Sequence, residues 1–209
     1  MKYLVLIGDM VESRQIENRA ATQKRFHDTC KSLNRRRKHY HIVSPLMVTL
    51  GDEFQGVLGG AEQLWPLIAR MELDMYPCRF RFSIGVGEIT TEVNSRSSLG
   101  MDGPAFYHAR EGMSMLRKSG GRYRITGLDP DDEVFQHVLE LLSSIREKWN
   151  YNRLATFTQL LEGATVAEIA EELDLTEQAV YRTRRDGDLP VITNLLQATS
   201  KAIDKVRME

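Results

Sequence analysis

The sequence predicts a mixed α/β (α+β) fold, in which helices cover one sheet, followed by a smaller region made only of helices. Up to about residue 128, short runs of β-forming residues alternate with stretches whose apolar residues recur at helical spacing. Beyond that residue the apolar periodicity is helical. Strands that alternate with helices favour a single sheet with helices packed on its face.

The segments before residue 128 have the order β-α-β-β-α-β, with a further helix and strand appended. That order is typical of a ferredoxin-like sheet. The predicted strands are 2–7, 43–50, 54–58, 79–89 and 122–126, and the predicted helices are 18–33, 61–75 and 104–118.

The next predicted helix separates the two parts of the chain. Asp129 and Pro130 supply an N-cap and a first-turn proline, and the apolar periodicity continues to Trp149. The sequence therefore predicts an α/β domain over 1–128, a connecting helix over 129–152 and a helical domain over 153–209.

Composition limits the class of protein. Hydrophobic residues make up 42% and charged residues 27%, which is near the globular average and argues against a disordered chain. The apolar runs are far shorter than the roughly 20 residues that a membrane-spanning helix needs, so no membrane partner is expected. Cys30 and Cys78 are the only cysteines, and the N-terminus does not resemble a signal peptide. We therefore expect a cytoplasmic protein without disulfides.

Two acidic residues are candidate metal ligands. Asp9 ends the first predicted strand, and Asp52 lies at the tip of the predicted hairpin. A divalent cation that bridges phosphate oxygens is best held by carboxylate oxygens, so the pair predicts Mg²⁺ or Mn²⁺. The alternatives are a solvated turn for Asp52 and helix capping for Asp9.

The residues after Asp9 are candidates for binding a nucleotide. They lead into a predicted helix whose first backbone N–H groups could hold phosphate. These candidates are Met10, Val11, Glu12, Ser13 and Arg14.

Several motifs together carry a resemblance to a known superfamily. Residues 49–58, Thr-Leu-Gly-Asp-Glu-Phe-Gln-Gly-Val-Leu, resemble the metal-binding hairpin of the nucleotidyl-cyclase and diguanylate-cyclase (GGDEF) superfamily. Asp9 stands where that superfamily has its first metal ligand. Residues 83–88 resemble its next strand, and Ala109-Arg110 resembles its alanine-arginine pair. Residues 8–14, Gly-Asp-Met-Val-Glu-Ser-Arg, together with the hairpin resemble the SatD family in particular.

The resemblance covers about residues 1–127 and implies a metal and nucleotide site with Arg110 as a candidate catalytic residue. A structural ion pair is the alternative for Arg110, and His108 is expected to be structural rather than a general base. Two cyclase features are missing. Met47-Val48-Thr49 stands where cyclases carry a base-reading lysine or glutamate, and the asparagine expected before the arginine is absent.

Residues 165–185 resemble a helix-turn-helix. Thr165 and Thr176 are natural N-caps, and Asp174 takes the turn position that tolerates a left-handed backbone. The shared apolar core would consist of Ile169, Leu173, Leu175 and Val180. On the second helix, the candidate DNA-binding residues are Thr176, Gln178, Tyr181, Arg182 and Arg185.

Charge leaves a second interpretation of this motif open. Residues 150–209 contain seven Lys and Arg against ten Asp and Glu, a net charge of −3 that is unfavourable for phosphate binding. The alternative is a module for docking a protein partner. Residues 189–206 form a predicted amphipathic helix with Leu195, Leu196, Thr199, Ala202 and Val206 on one side, suited to packing within the chain or in a homodimer.

The sequence therefore predicts a DNA-binding regulator whose cyclase-like domain binds a metal together with a nucleoside triphosphate or a ligand like a cyclic nucleotide. One alternative is a metal-dependent enzyme of nucleotidyl-transfer or phosphate-ester chemistry that the helix-turn-helix localises. The other is a degenerate cyclase-like scaffold with a helix-turn-helix for protein interaction.

Overall fold

The computed structural model describes residues 1–49, 51–128 and 133–209. Within them lie a five-stranded sheet and eight α-helices. The strands are β1 (Tyr3–Met10), β2 (Ile42–Val48), β3 (Glu53–Leu58), β4 (Phe80–Gly87) and β5 (Tyr123–Thr126). The helices are α1 (Arg19–Arg35), α2 (Leu64–Asp74), α3 (Pro104–Ser119), α4 (Glu133–Arg146), α5 (Tyr151–Leu161), α6 (Val166–Glu172), α7 (Glu177–Asp186) and α8 (Leu189–Met208).

The observed order of elements confirms the predicted α+β fold. The strand order is β2-β3-β1-β4-β5, in which the first four strands are antiparallel neighbours and β5 runs parallel to β4. The ferredoxin-like order of β1 to β4 matches the prediction. The predicted helix start at Asp129 and Pro130, and Leu50 at the end of the second predicted strand, lie outside the described residues.

Helices cover both faces of the sheet, because successive side chains of a strand point to opposite sides. Leu4 and Leu6 of β1 face the larger core, which includes residues of α1, α2 and α4. Val5 and Ile7 face a smaller core against α3. At Gly85 of β4 a Cβ atom would overlap the backbone of α3, so glycine is required for this close packing.

The C-terminal helix α8 packs on α2. The indole Nε1 of Trp65 donates a hydrogen bond to Thr199 Oγ1 at 2.9 Å, and the backbone N–H of Ala61 donates to Asp204 Oδ1 at 3.1 Å. The predicted apolar face was wrong in part, because Leu195 is 41% exposed. The buried face instead centres on Ile192, Leu196, Thr199 and Ile203.

One cluster of buried residues extends across the predicted domain boundary. It joins Phe26 and Phe82 of the α/β part to Phe157 of α5 and Ile192 of α8. The boundaries at 128 and 153 stay a prediction, and the two parts share a core. Among the described residues no helix is both long and apolar enough to cross a membrane.

Candidate functional site

Asp9, Asp52 and Glu53 lie at one end of the sheet, and we call these three residues the acidic edge. Asp9 is the register partner of Glu53 in the antiparallel pairing of β1 with β3. The backbone N–H of Met10 donates to the carbonyl oxygen of Asp52 at 2.9 Å. The fold therefore brings the two predicted metal ligands onto neighbouring segments.

Asp9 is 6% exposed, and arginines bind both of its carboxylate oxygens. Arg117 of α3 donates from Nη2 to Oδ1 at 2.9 Å and from Nε to Oδ2 at 3.3 Å. Arg81, which lies opposite Asp9 on β4, donates from Nη1 to Oδ2 at 3.2 Å. A buried carboxylate needs such partners to remain charged. The capping alternative for Asp9 is wrong, since Glu12 and Asn18 occupy the N-cap positions of the two helices that follow β1.

Arg117 is the site residue that the sequence did not reveal. Its Nη2 also donates to Glu53 Oε2 at 2.8 Å, so the guanidinium bridges two carboxylates of the acidic edge. These hydrogen bonds, first of all the one with Asp9, raise the pKa of Arg117. In the sequence, Arg117 is a basic residue in the last turn of a helix, where the helix dipole alone favours it.

Asp52 is tied to the segment that follows β1. Its Oδ2 accepts a hydrogen bond from Ser13 Oγ at 2.5 Å, and Ser13 is buried. Glu53 Oε1 accepts a hydrogen bond from Thr49 Oγ1 at 3.1 Å. The tip of the hairpin is therefore half-buried and hydrogen-bonded.

The segment predicted to bind phosphate differs from the expectation in its backbone. The strand β1 extends to Met10, the N–H of Met10 is bonded to Asp52, and the N–H of Val11 donates to the carbonyl of Arg79 at 2.8 Å. Only a 3-10 helix, Ser13–Gln15, follows, and α1 begins at Arg19. Glu12 has a left-handed backbone, and the side chains of Glu12 and Arg14 are exposed.

The carboxylate oxygens of the acidic edge are ligands suited to a hard cation, although they do not surround one position on all sides. In the described part of the chain, no three acidic, histidine or cysteine side chains converge on one metal position. Oxygens of Asp9 and Glu53 do converge on the cationic Nη2 of Arg117, which occupies the place of a cation between them. Mg²⁺ is commonly held by one or two carboxylates together with water and substrate phosphates. The residues present therefore fit such an ion.

Arg110 and His108 lie away from this cluster. Arg110 is exposed, and its guanidinium carbon lies 5.9 Å from the centre of the Phe106 ring. Along the axis of α3, Arg110 and Arg117 are about 10 Å apart. The Nδ1 of His108 lies 2.7 Å from the carbonyl oxygen of Val86, near the end of β4 opposite to Arg81. This contact fits the expected structural role of His108.

The α6–α7 pair has the local structure that its sequence predicts. Thr165 and Glu168 form a capping box at the start of α6, and Thr176 Oγ1 accepts a hydrogen bond from the N–H of Ala179 at 3.2 Å. Asp174, in the turn between the helices, has the left-handed φ of 51°. Both predicted N-caps and the turn are confirmed.

The outer face of α7 gathers the candidate DNA-binding residues. All of them are exposed, and they line one shallow concavity: Thr176, Gln178, Tyr181, Arg182 and Arg185. Arg185 pairs with Asp186 at 3.0 Å, and among the residues that the structure describes Arg182 has no ion-pair partner. The face therefore presents hydrogen-bond donors and positive charge side by side.

Two ionic networks fix the helices around the sheet, and the first of them is buried. Glu72 of α2 accepts hydrogen bonds from Arg122, Tyr123 and Arg146, which joins α2 to β5 and α4. Burial raises the pKa of Tyr123 to about 12, so its hydroxyl stays a donor to Glu72.

The second network centres on Glu162 at the end of α5. Its Oε1 accepts from Tyr40 Oη at 2.9 Å and from Arg70 Nε at 3.1 Å, and it lies 3.6 Å from Arg36 Nη1. Burial alone would raise the pKa of Glu162, but the hydrogen bonds and charge of Arg70 hold it below its ordinary value. This network joins α1, α2 and α5.

The fold and the acidic edge define a class: an α+β protein with a ferredoxin-like sheet that collects carboxylates at one end. Comparison of the sequence with protein families is more specific. The model of the SatD family matches residues 3–189, and the chain belongs to that family.

The solved structures similar to this chain include two of a bacterial light-regulated adenylyl cyclase. One shares 16% identity with a TM-score of 0.38, covering 61% of this chain and 43% of the cyclase chain. The other shares 15% identity with a TM-score of 0.35, covering 59% of this chain and 42% of the cyclase. This chain thus spans less than half of either cyclase chain. No curated protein matches the chain.

Proposed function

We propose that this SatD-family protein is a DNA-binding regulator in which α6 and α7 form a helix-turn-helix. In this proposal, the acidic edge binds a nucleoside triphosphate, or a ligand like a cyclic nucleotide, together with Mg²⁺ or Mn²⁺. The observation that carries the proposal is the exposed face of α7, where the candidate DNA-binding residues lie side by side.

The chemistry of α7 suits the major groove. Glutamine can form paired hydrogen bonds with adenine, and arginine can do so with guanine. Gln178 and Arg182 are four residues apart and therefore lie on the same side of α7. Because the region as a whole is acidic, we expect phosphate contacts to come from α7 and few other elements.

A continuous set of contacts can connect the acidic edge to α7. The side chain of Asn34 in α1 is bonded to both the N–H and the carbonyl of Leu46 in β2, at 2.8 and 2.9 Å. The end of α1 contacts Glu162 of α5 through Arg36, and α5 packs against α7. Ligand at the hairpin that carries Asp52 would thereby act on the helix-turn-helix, provided that these contacts have two arrangements.

Selection from a random duplex library tests the DNA proposal. The wild type is expected to enrich a defined sequence, and Arg182→Ala with Arg185→Ala is expected to lose that enrichment. Arg96→Ala, which removes an exposed arginine from the loop between β4 and α3, is the matched control and should select as the wild type does. Enrichment that survives the double substitution would refute α7 as the recognition helix.

Calorimetry tests the ligand proposal separately. The wild type is titrated with each nucleoside triphosphate in the presence of Mn²⁺, and binding is expected to be lost in Asp9→Asn and Asp52→Asn. Asp28→Asn, which changes an exposed aspartate on α1, is the control. If no triphosphate binds to the wild type, the nucleotide part of the proposal is wrong.

A second candidate function is an enzyme of nucleotidyl-transfer or phosphate-ester chemistry. The adjacency of Asp9 and Asp52 favours it, because paired carboxylates are the ligands that such metal-assisted chemistry uses. In this function Arg117 would stabilise charge on a phosphate. New products in the same triphosphate mixtures, absent with Asp9→Asn, would support an enzyme.

A further inference from the structure

Two carboxylates of the acidic edge, those of Asp9 and Glu53, are paired with arginines of the protein. Arg117 forms a fork with both oxygens of Asp9 and at the same time contacts Glu53, and Arg81 supports Asp9 from β4. Forked guanidinium–carboxylate pairs are among the stronger charged hydrogen bonds in proteins. Any other cation must compete with this arrangement.

A divalent ion at the acidic edge would need oxygens that Arg117 already occupies. Asp9 Oδ1 has its contact with Arg117 Nη2 at 2.9 Å, and Glu53 Oε2 has its contact with the same nitrogen at 2.8 Å. An added metal ion beside an undisturbed Arg117 would place two cations at one pair of carboxylates, which is electrostatically unfavourable. Binding of a metal ion to these two oxygens therefore requires Arg117 to move.

Arg117 is placed so that it can move. Its side chain is 50% exposed, and it lies in the last turn of α3, two residues before the helix ends at Ser119. Arg81, by contrast, is 19% exposed in its side chain and has one hydrogen bond to Asp9. Arg81 can thus remain as a structural partner of Asp9 while Arg117 turns into solvent.

We propose that Arg117 is the resident counter-cation of the acidic edge: a divalent metal reaches Asp9 by displacing Arg117, and the displaced guanidinium is then available to a phosphate group. This inference rests on the proposed metal and nucleotide binding and assigns Arg117 as a positioning residue for it. Metal and phosphate would assist each other, since the metal releases Arg117 to the phosphate and the phosphate draws Arg117 away from the carboxylates. Such coupling is reciprocal.

The first test is a titration of the full chain with Mn²⁺ alone, in which electron paramagnetic resonance measures the concentration of the free ion. Arg117→Gln is expected to bind Mn²⁺ about tenfold more tightly than the wild type, because the charged hydrogen bonds no longer compete. Arg117→Lys keeps the charge without the fork and should be intermediate. Arg96→Gln, which changes an exposed arginine in the loop between β4 and α3, is the control and should leave the affinity unchanged.

The second test needs no variant that could fail to fold. Phenylglyoxal modifies accessible arginines, and the modified peptides are identified by mass spectrometry. Saturating Mn²⁺ is expected to increase modification of Arg117 several-fold and to leave Arg110 unchanged.

The outcomes separate this inference from the proposed function. If Mn²⁺ binds in an Asp9-dependent manner but Arg117→Gln binds equally or more weakly, the role of Arg117 is refuted and the metal site stands. Unchanged labelling of Arg117 at saturating Mn²⁺ would refute it as well. If no variant binds Mn²⁺, the metal site and the inference both fail.

Discussion

At the scale of single residues, the partner of a charged group decides what the group can do. Asp9 was identifiable from the sequence as an acid at a strand end, but its partners come from positions 72 and 108 residues away. Arg81 and Arg117 meet Asp9 only because β4 pairs with β1 and α3 crosses the same face of the sheet. The carboxylates were therefore predictable, and their counter-charges were not.

The turn between α6 and α7 shows the opposite case, in which one residue and its neighbours suffice. The prediction of a left-handed backbone at Asp174 comes from its place at the turn position of a helix-turn-helix sequence. Its φ of 51° agrees. Local chemistry of this kind does not depend on distant contacts.

Substitutions at Asp174 test whether the turn requires a left-handed backbone. Valine in a left-handed conformation is strained, whereas glycine is not, so Asp174→Val is expected to be less stable than Asp174→Gly by about 1–2 kcal/mol. Urea denaturation monitored by circular dichroism measures the free energy of unfolding of both. Equal stabilities would show that the turn relaxes.

At the scale of elements, periodicity predicted the helices and strands well but not every buried face. For α8 the predicted face included Leu195, which is 41% exposed, and the structure buries Ile192 and Ile203 instead. Consecutive side chains of an α-helix point in directions about 100° apart, so a shift of one residue changes which face is buried. The choice depends on the surface of α2 and the sheet, which no local pattern contains.

The packing of α3 on β4 makes a sharp prediction. Gly85→Ala places a methyl group against the backbone of Ala105 and Ala109, which cannot move without displacing α3. We expect a loss of about 2–3 kcal/mol in the free energy of unfolding. Gly121→Ala, where the nearest atoms belong to side chains, should change it by less than about 0.5 kcal/mol. A similar effect of both substitutions would contradict the close packing.

The Glu162 network predicts a pH dependence. The pKa of Glu162 is below its ordinary value in the folded protein, so its ionised form stabilises the fold above the pKa of the unfolded chain, near 4.3. This stabilisation is lost as the pH falls through the lower, folded value. Glu162→Gln should therefore be less stable than the wild type by about 2 kcal/mol at pH 7, with the difference shrinking in acid. A difference that is constant from pH 7 to pH 3 would contradict this role.

At the scale of the whole molecule, the α/β part and the C-terminal helices are joined rather than tethered. Phe157 of α5 and Ile192 of α8 belong to the same core as Phe82 of the sheet. Sequence periodicity could place the helices in order, but it could not show that α5 and α8 pack back onto α2. The sheet thus shares a core with α5 and α8, the helices that flank α6 and α7 in the sequence.

This shared core predicts a single cooperative unfolding transition. Trp65 reports on the contact between α2 and α8, and Trp149 packs on Phe157 at a ring distance of 4.9 Å. Trp65→Phe and Trp149→Phe each leave one tryptophan as the fluorescent reporter. In each variant, fluorescence and circular dichroism are expected to give the same urea midpoint. Separate midpoints would mean that the C-terminal helices unfold on their own.

Recognition of DNA by the outer face of α7 is tested most directly by fluorescence anisotropy with the selected duplex. Arg182→Ala should weaken binding to that duplex about tenfold and reduce its preference over an unrelated duplex, because the loss falls on contacts that read bases. Arg96→Ala should bind as the wild type does. Equal affinity of the wild type and Arg182→Ala for the selected duplex, or wild-type binding without preference, would contradict the claim.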